Sequence, residues 1–295
     1  MEGNALQVLA VMFPVILAAS CGFFFAKRGL PFEPRVINSV VANVAMPSLV
    51  ISHLAAQHIS FLAFSKMVYG AVAVVACFIA IALVFCWVFG LKPRVYLNAL
   101  CFGNVGNVGL PIVFFAFGAE GMAYALAFWI VIVVGLFTIG IWVPQGSISF
   151  RRLVTTPNIY GVVIGVVLIA TQTKLPLPLQ NGLELIGGAC IPLMLMTLGY
   201  SIAELQYKML VRGALIALFH LGSALIVAFG LAHVFAFEGV ARGAFILEAV
   251  MPSSVFAYLM AERYANEYAG EVASVVLFST MFALLSLPVV LFILL

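Results

Sequence analysis

Two short stretches place helix-breaking and polar residues inside long apolar segments. Residues 104–111 read NVGNVGLP, and residues 247–254 read LEAVMPSS. In hydrocarbon every backbone N–H and C=O needs a partner within the protein, so an opened helix is stable only where it faces other protein or enclosed water. Two such breaks, one in each half of the chain, are typical of secondary transporters with a substrate site at mid-bilayer.

The prolines of these stretches predict unwound helix. Proline removes a backbone donor, and its ring clashes with the carbonyl four residues back, so we expect the turns before Pro111 and Pro252 to be open. Freed carbonyls there can coordinate a cation. The half-helix after each break presents unpaired N–H groups and a partial positive charge, which suit a carboxylate. Neither stretch contains Lys or Arg, so backbone is the predicted anion-binding element.

Small and polar side chains near the breaks are the candidate substrate ligands. Their amides and hydroxyls can bond either a substrate or the opened backbone, and small polar residues also allow close helix packing. By the same reasoning, we expect the lone His220 of span 8 to bond a neighbouring helix. The predicted substrate-binding residues are Asn104, Asn107, Gly109, Pro111, Pro252, Ser253, Ser254 and Asn43.

Glu248 is the candidate coupling residue. A carboxylate near mid-bilayer costs at least about 2.5–3.5 kcal/mol, and it persists mainly when it is paired, protonated or part of a transport pathway. An ionised Glu248 would repel a bound anion, so we predict that it couples H⁺ or Na⁺. The alternative is a protonated side chain with a structural hydrogen bond. No other cofactor and no metal site is predicted, because the five cysteines lack metal-ligand spacing.

Composition identifies an integral membrane protein. Hydrophobic residues make up 65% of the chain and charged residues 8%, against roughly 45–50% and about 25% in soluble domains. The net charge of +3 belongs to loops and implies no nucleic-acid partner. Since a span needs about 20 apolar residues, ten spans are predicted. They cover residues 5–26, 36–56, 65–89, 96–117, 121–143, 157–173, 180–203, 211–236, 240–262 and 271–295.

Most of the 13 Lys and Arg residues fall in one set of alternating loops. By the positive-inside rule that set is cytoplasmic. Both termini are therefore predicted on the outer side of the plasma membrane, which in a bacterium is the inner membrane. The cytoplasmic set is Lys27, Arg28, Arg35, Lys92, Arg94, Arg151, Arg152, Lys208, Arg212 and Arg263. The other set is Lys66, Lys174 and Arg242.

Paired prolines predict an internal repeat. Pro47 and Pro192 are separated by nearly the same number of residues as Pro111 and Pro252. Each copy holds five spans, an odd number, so the second copy enters the membrane in the opposite direction. The predicted repeats are residues 1–145 and 146–295.

Four segments resemble the auxin efflux carrier family of secondary transporters, which includes plant auxin exporters and bacterial permeases for small organic acids. They are VANVAMPSLVISHL in span 2, NVGNVGLP in span 4, GACIPLMLMTLG in span 7, and residues 251–295 with their Glu-Arg-Tyr loop and Leu-Pro-closed last span. The resemblance covers essentially the whole chain. It implies an all-α fold of ten transmembrane helices in two inverted five-helix repeats, like bile-acid sodium symporters and, more distantly, sodium/proton antiporters.

The resemblance also implies how such a fold works. Broken spans 4 and 9 cross in an X, spans 1, 2, 6 and 7 form a scaffold that commonly mediates a homodimer, and spans 3–5 and 8–10 form a transport core that shifts like an elevator. Asn104 matches the amide that contacts the substrate carboxylate in plant members, and Pro111 and Pro252 match the crossing prolines. Glu248 and Ser253 replace an amide and a glutamine of plant members. With the long cytoplasmic loop also missing, this pattern suits a compact bacterial permease.

Other function classes leave different signatures. The sequence has no Asp for a paired-aspartate protease, no HExxH and no GxSxG, so an intramembrane enzyme is not expected. A channel stays open as an alternative because broken helices also build pores. A sodium-coupled symporter of the bile-acid type stays open as well. The expected cargo is a small organic anion, either a monocarboxylate or a dicarboxylate.

Overall fold

The computed structural model of the chain is almost entirely helical. In the described residues the only β-type pairing is a single bridge between Gly103 and Ser253. The described residues are 2–56, 59–146, 157–204 and 211–295.

Seven helices form the described part of the first half. A π-helical turn, Val41–Ala45, precedes α3, and a second, Val105–Gly109, precedes α6. Proline lies in the first turn of α2, α5 and α6. A backbone N–H at this position would have no acceptor within the helix, so its absence in proline costs no hydrogen bond. The helices are α1 (Glu2–Lys27), α2 (Pro34–Val40), α3 (Met46–Ala56), α4 (Phe61–Val88), α5 (Pro93–Cys101), α6 (Leu110–Phe137) and α7 (Ile139–Gln145).

Seven more helices follow in the described part of the second half. A 3₁₀ turn, Asn266–Tyr268, precedes the last of them. They are α8 (Pro157–Thr171), α9 (Leu177–Gly188), α10 (Cys190–Glu204), α11 (Val211–Val234), α12 (Gly239–Ala249), α13 (Val255–Tyr264) and α14 (Ala269–Leu294).

Seven helical runs of the described residues are long and apolar enough to cross a membrane, so the chain is a multi-pass membrane protein. One run, Val105–Gln145, holds the second part of predicted span 4 and all of span 5, and Gly118 separates the two with a φ of +64°. The sixth predicted span is the shorter α8, and the ninth covers α12 and α13. The seven runs are Ala5–Lys27, Pro34–Ala56, Phe61–Val88, Val105–Gln145, Leu177–Glu204, Val211–Val234 and Asn266–Leu294.

Helix packing falls into two groups. The closest pair is α1 with α10, where Gly22 lies against the backbone of Met196 and Gly199 against the backbone of Ala19. Helix α3 packs on α8 and α9 beside this pair. In the other group α6 packs on α4 and α12, and α11 packs on α14. Arg151, Arg152 and Lys208, on which the predicted orientation partly depends, lie outside the described residues.

Candidate functional site

The non-helical residues after α5 and after α12 are joined by two backbone hydrogen bonds. The N–H of Asn104 donates to the carbonyl of Pro252 at 2.6 Å, and the N–H of Ser254 donates to the carbonyl of Phe102 at 3.1 Å. Backbone groups that an opened helix leaves without partners are therefore bonded to the other opened helix, which is how a membrane interior can hold non-helical chain. We call residues 102–104 with 250–254 the junction.

The predicted opening of the first helix lies one turn upstream of its expected place. The residues just before Pro111 form the π-helical turn Val105–Gly109, and the non-helical residues are 102–104. The prediction for this turn was wrong because Pro111 lies in the first turn of α6, where proline is compatible with a helix. In the second stretch Val250 and Met251, just before Pro252, are non-helical, as predicted.

Serine hydroxyls complete the bonding of the junction. Ser253 is fully buried; its Oγ donates to the carbonyl of Ala99 at 2.5 Å, and its N–H donates to Ser279 Oγ at 3.1 Å. Ser254 Oγ accepts from the N–H of Phe256 at 3.2 Å. The hydroxyls of Ser253 and Ser254, predicted as substrate ligands, thus bond the protein itself. Sequence reasoning missed Ser279, because nothing local to α14 indicates the distant N–H that it accepts.

The start of the π-helical turn presents unsatisfied donors. Val108 and Gly109 donate their N–H groups to the carbonyl of Asn104, at 3.1 and 3.3 Å. The N–H groups of residues 105–107 have no acceptor in the described part of the chain. Asn104 is buried and Asn107 is half-buried at the same turn. A helix start with free N–H groups favours a bound anion.

Glu248 lies in the last turn of α12 and contacts the π-helical turn Val105–Gly109. Its side chain is 1% exposed, and neither carboxylate oxygen has a hydrogen-bond partner among the described residues. The carboxylate packs against Gly109: a Cβ there would lie 2.8 Å from Glu248 Cδ. Gly109 is therefore required for this approach. The described residues contain no cluster of three or more His, Cys, Asp or Glu that could hold a metal ion.

His220 of α11 bonds the second opened helix. It is buried, and its Nε2 lies 3.3 Å from the carbonyl of Met251. In an unbroken helix that carbonyl would accept from the N–H of Val255. The prediction that His220 bonds a neighbouring helix is confirmed.

The structure does not bring Asn43 to the junction. Its side chain is exposed, and its amide donates to the carbonyl and the Oγ of Ser39, at 2.8 and 3.1 Å. Asn43 lies in the π-helical turn Val41–Ala45. Such a turn holds one more residue than an α-helical turn, so a side chain placed by α-helical spacing lies on a different face of the helix. Substrate binding by Asn43 stays a prediction.

A cavity of about 320 Å³ adjoins the junction. Helices α1 and α10 form one wall, and the π-helical turn, the junction and α14 form the other. Val108 and Pro252 bring the two interrupted segments to this cavity. The lining is apolar apart from Ser20 and Thr280, and the hydroxyl of Thr280 already donates to the carbonyl of Val276.

The fold and this site define the class of the protein: a helical membrane protein with two interrupted helices bonded at a cavity. A family model described as "Membrane transport protein" matches residues 7–147 and 145–291. The chain belongs to this family, which is the auxin efflux carrier family that its motifs resemble. It is a family of transporters and not of enzymes.

Archaeal relatives match nearly end to end. An uncharacterized transporter of Methanothermobacter thermautotrophicus is 27% identical, over 97% of this chain and 97% of the relative. An uncharacterized transporter of Methanocaldococcus jannaschii is 23% identical, over 93% of this chain and 95% of the relative.

Proposed function

We propose that this protein is a secondary active transporter that carries a small organic anion, a mono- or dicarboxylate, across the plasma membrane. The observation that supports this most directly is the pair of interrupted helices bonded to each other beside free N–H donors. These donors attract a carboxylate without a fixed cation. The adjoining cavity accepts the rest of such a molecule.

The proposed architecture has ten transmembrane helices in two inverted repeats, residues 1–145 and 146–295, with both termini outside. Spans 4 and 9 cross at the junction. Spans 1, 2, 6 and 7 are the scaffold and the homodimer interface, and spans 3–5 and 8–10 are the moving core. Supporting this division, the cavity lies between α1 and α10 on one side and α14 with the π-helical turn on the other. An elevator-like shift of one group against the other would change the side from which the cavity is reached.

Glu248 is the proposed coupling group. An ionised carboxylate without a partner is strongly unfavourable in an apolar interior, and a substrate anion bound one turn away would add repulsion. A proton or a sodium ion on Glu248 would remove both penalties. Substrate and coupling ion would then bind together, which is the linkage that symport requires.

The test is uptake in proteoliposomes of whichever labelled carboxylate most raises the melting temperature of the purified protein. We expect saturable uptake and counterflow, which a channel would not show. We also expect uptake to depend on a proton or sodium gradient, and Glu248→Gln to remove that dependence. Retained gradient dependence in Glu248→Gln would contradict coupling through this residue.

The matched control is Glu262→Gln, because Glu262 is exposed and, among the described residues, its carboxylate accepts a hydrogen bond from the hydroxyl of Tyr258 on the same helix. It should keep the wild-type dependence. Replacing sodium with choline at constant pH separates a sodium-coupled symporter of the bile-acid type from a proton-coupled carrier. Flux without saturation or counterflow would favour a channel over a carrier.

A further inference from the structure

Trp129 of α6 directs its indole nitrogen at the start of the π-helical turn. The side chain is buried, with 5% of its surface exposed. Its Nε1 lies 3.1 Å from the position that a Cβ on Gly106 would take. Nε1 has no hydrogen-bond acceptor in the part of the chain that the structure describes, yet it is not among the fully enclosed polar atoms, as the Glu248 oxygens are.

A buried indole N–H ordinarily finds an acceptor. Here the nearest backbone is itself a set of donors, since the N–H groups of residues 105–107 also lack acceptors within the described ranges. A side-chain donor and backbone donors without acceptors therefore lie at the same turn. The group that satisfies all of them is an acceptor with several lone pairs that comes from outside the chain, and a carboxylate has this property.

The turn that holds the backbone donors also contributes a residue to the apolar cavity. Val108 of the same turn lines the cavity, and Met194 Cε lies 3.6 Å from the position of a Cβ on Gly106. Met194 precedes Leu198, another cavity residue, by one turn of α10. A molecule whose carboxylate meets the donors can therefore extend its hydrocarbon part into the cavity.

We propose that Trp129 is a substrate-binding residue, whose indole N–H donates to the carboxylate of the transported anion together with the N–H groups of residues 105–107. This inference rests on the proposed function and adds a ligand outside the two motif stretches. It also explains why residue 106 is a glycine: a side chain there would fill the space between Trp129 and Met194.

The test compares hexanoate with hexanamide, which has nearly the same shape and no charge, by calorimetric titration of the purified full-length protein. Trp129→Phe keeps the aromatic packing and removes the donor. We expect it to raise the Kd for hexanoate about tenfold, as loss of one hydrogen bond to a charged group does, and to change the Kd for hexanamide by less than about twofold. Trp142→Phe is the control, because Trp142 is 48% exposed on α7; its Kd values should match those of the wild type.

An unchanged Kd for hexanoate in Trp129→Phe would overturn the assignment of Trp129 and leave the proposed function standing. Equal weakening of both ligands would also overturn it, because that result indicates packing alone. If wild-type protein binds neither hexanoate nor adipate, both the assignment and the proposed function fail.

A second measurement keeps Trp129 in place and tests the assignment even if the Trp129→Phe protein does not fold. In Trp87→Phe/Trp142→Phe protein, Trp129 is the only tryptophan, since the chain has three. Hexanoate should shift its fluorescence emission, and hexanamide at the same concentration should shift it much less. Identical responses to the two ligands would overturn the assignment.

Discussion

The carboxylate of Glu248 lies against the Cα of Gly109, with Cδ 2.8 Å from the position of a Cβ at residue 109. This contact joins the last turn of α12 to the π-helical turn before α6. The candidate coupling group therefore touches the turn whose backbone is the candidate anion-binding element. The effects of substitutions at Glu248 and Gly109 on stability are therefore expected to be coupled.

Gly109→Ala should destabilise the protein. The new methyl group has no space beside the Glu248 carboxylate, and overpacking of this kind costs about 1–3 kcal/mol. We expect a melting temperature lower by several degrees in detergent. Gly230→Ala is the control, since no atom lies within 4 Å of its Cβ position. In a Glu248→Ala background, Gly109→Ala should cost much less; full additivity of the two changes would contradict the contact.

His220→Phe should destabilise the second opened helix. It leaves the Met251 carbonyl without the Nε2 donor, and a buried acceptor without a partner costs about 1–3 kcal/mol. His220→Gln can still donate from its amide, so we expect its melting temperature to fall less. Equal melting temperatures for the two variants would show that the hydrogen bond contributes nothing to stability.

The interruptions show how much the sequence could predict. Glycine, proline and polar residues in apolar runs indicated both segments, because each signal is local. The first opening lies one turn upstream of its predicted position. The sequence does not distinguish a proline in the first turn of a helix from a proline in a break. Ser279 was missed because the N–H that it accepts lies on a distant segment. Trp129 was missed because it lies more than 20 residues from Gly106, which its indole nitrogen approaches, and the π-helical turn at Asn43 altered the spacing on which its prediction relied.

Glu271→Gln should lower stability where Glu267→Gln does not. Glu271 Oε1 lies 3.3 Å from Arg212 Nε, and its side chain is only 12% exposed in the first turn of α14. A carboxylate in the first turn of a helix, here beside a guanidinium, contributes about 1 kcal/mol. Glu267 pairs with Lys92 at 3.6 Å, but both side chains are more than half exposed, and such pairs contribute little. Thermal melting of the two variants at matched salt is the measurement, and a larger loss for Glu267→Gln would contradict this ranking.

Hexanoate should bind more tightly than adipate. The two have the same chain length, but adipate would place its second carboxylate in a cavity whose polar side chains are only Ser20 and Thr280. Desolvating that charge without a partner is costly, so we expect at least about a tenfold difference in Kd. Calorimetric titration at pH 7 measures it. Tighter binding of adipate would mean that a second polar subsite exists outside this cavity.

Lowering the pH from 8 to 6 should tighten hexanoate binding if a proton neutralises Glu248. Binding of the anion would then take up a proton, and Kd would fall with pH as linkage requires. In Glu248→Gln protein the Kd should no longer change over this range. If sodium is the coupling ion, adding sodium at constant pH should produce the same tightening, again only with Glu248 present. Binding that responds to neither ion would contradict coupling.

Transport as proposed requires the junction and the π-helical turn to hold the carboxylate of the transported anion. A crystal structure of the protein soaked with 6-bromohexanoate tests this binding mode through the anomalous signal of bromine. We predict a bromine peak in the cavity between α1 and α14, with the carboxylate within hydrogen-bond distance of the N–H groups of residues 105–107. Bromine found only on the lipid-facing surface, or a carboxylate away from this turn, would contradict this binding mode.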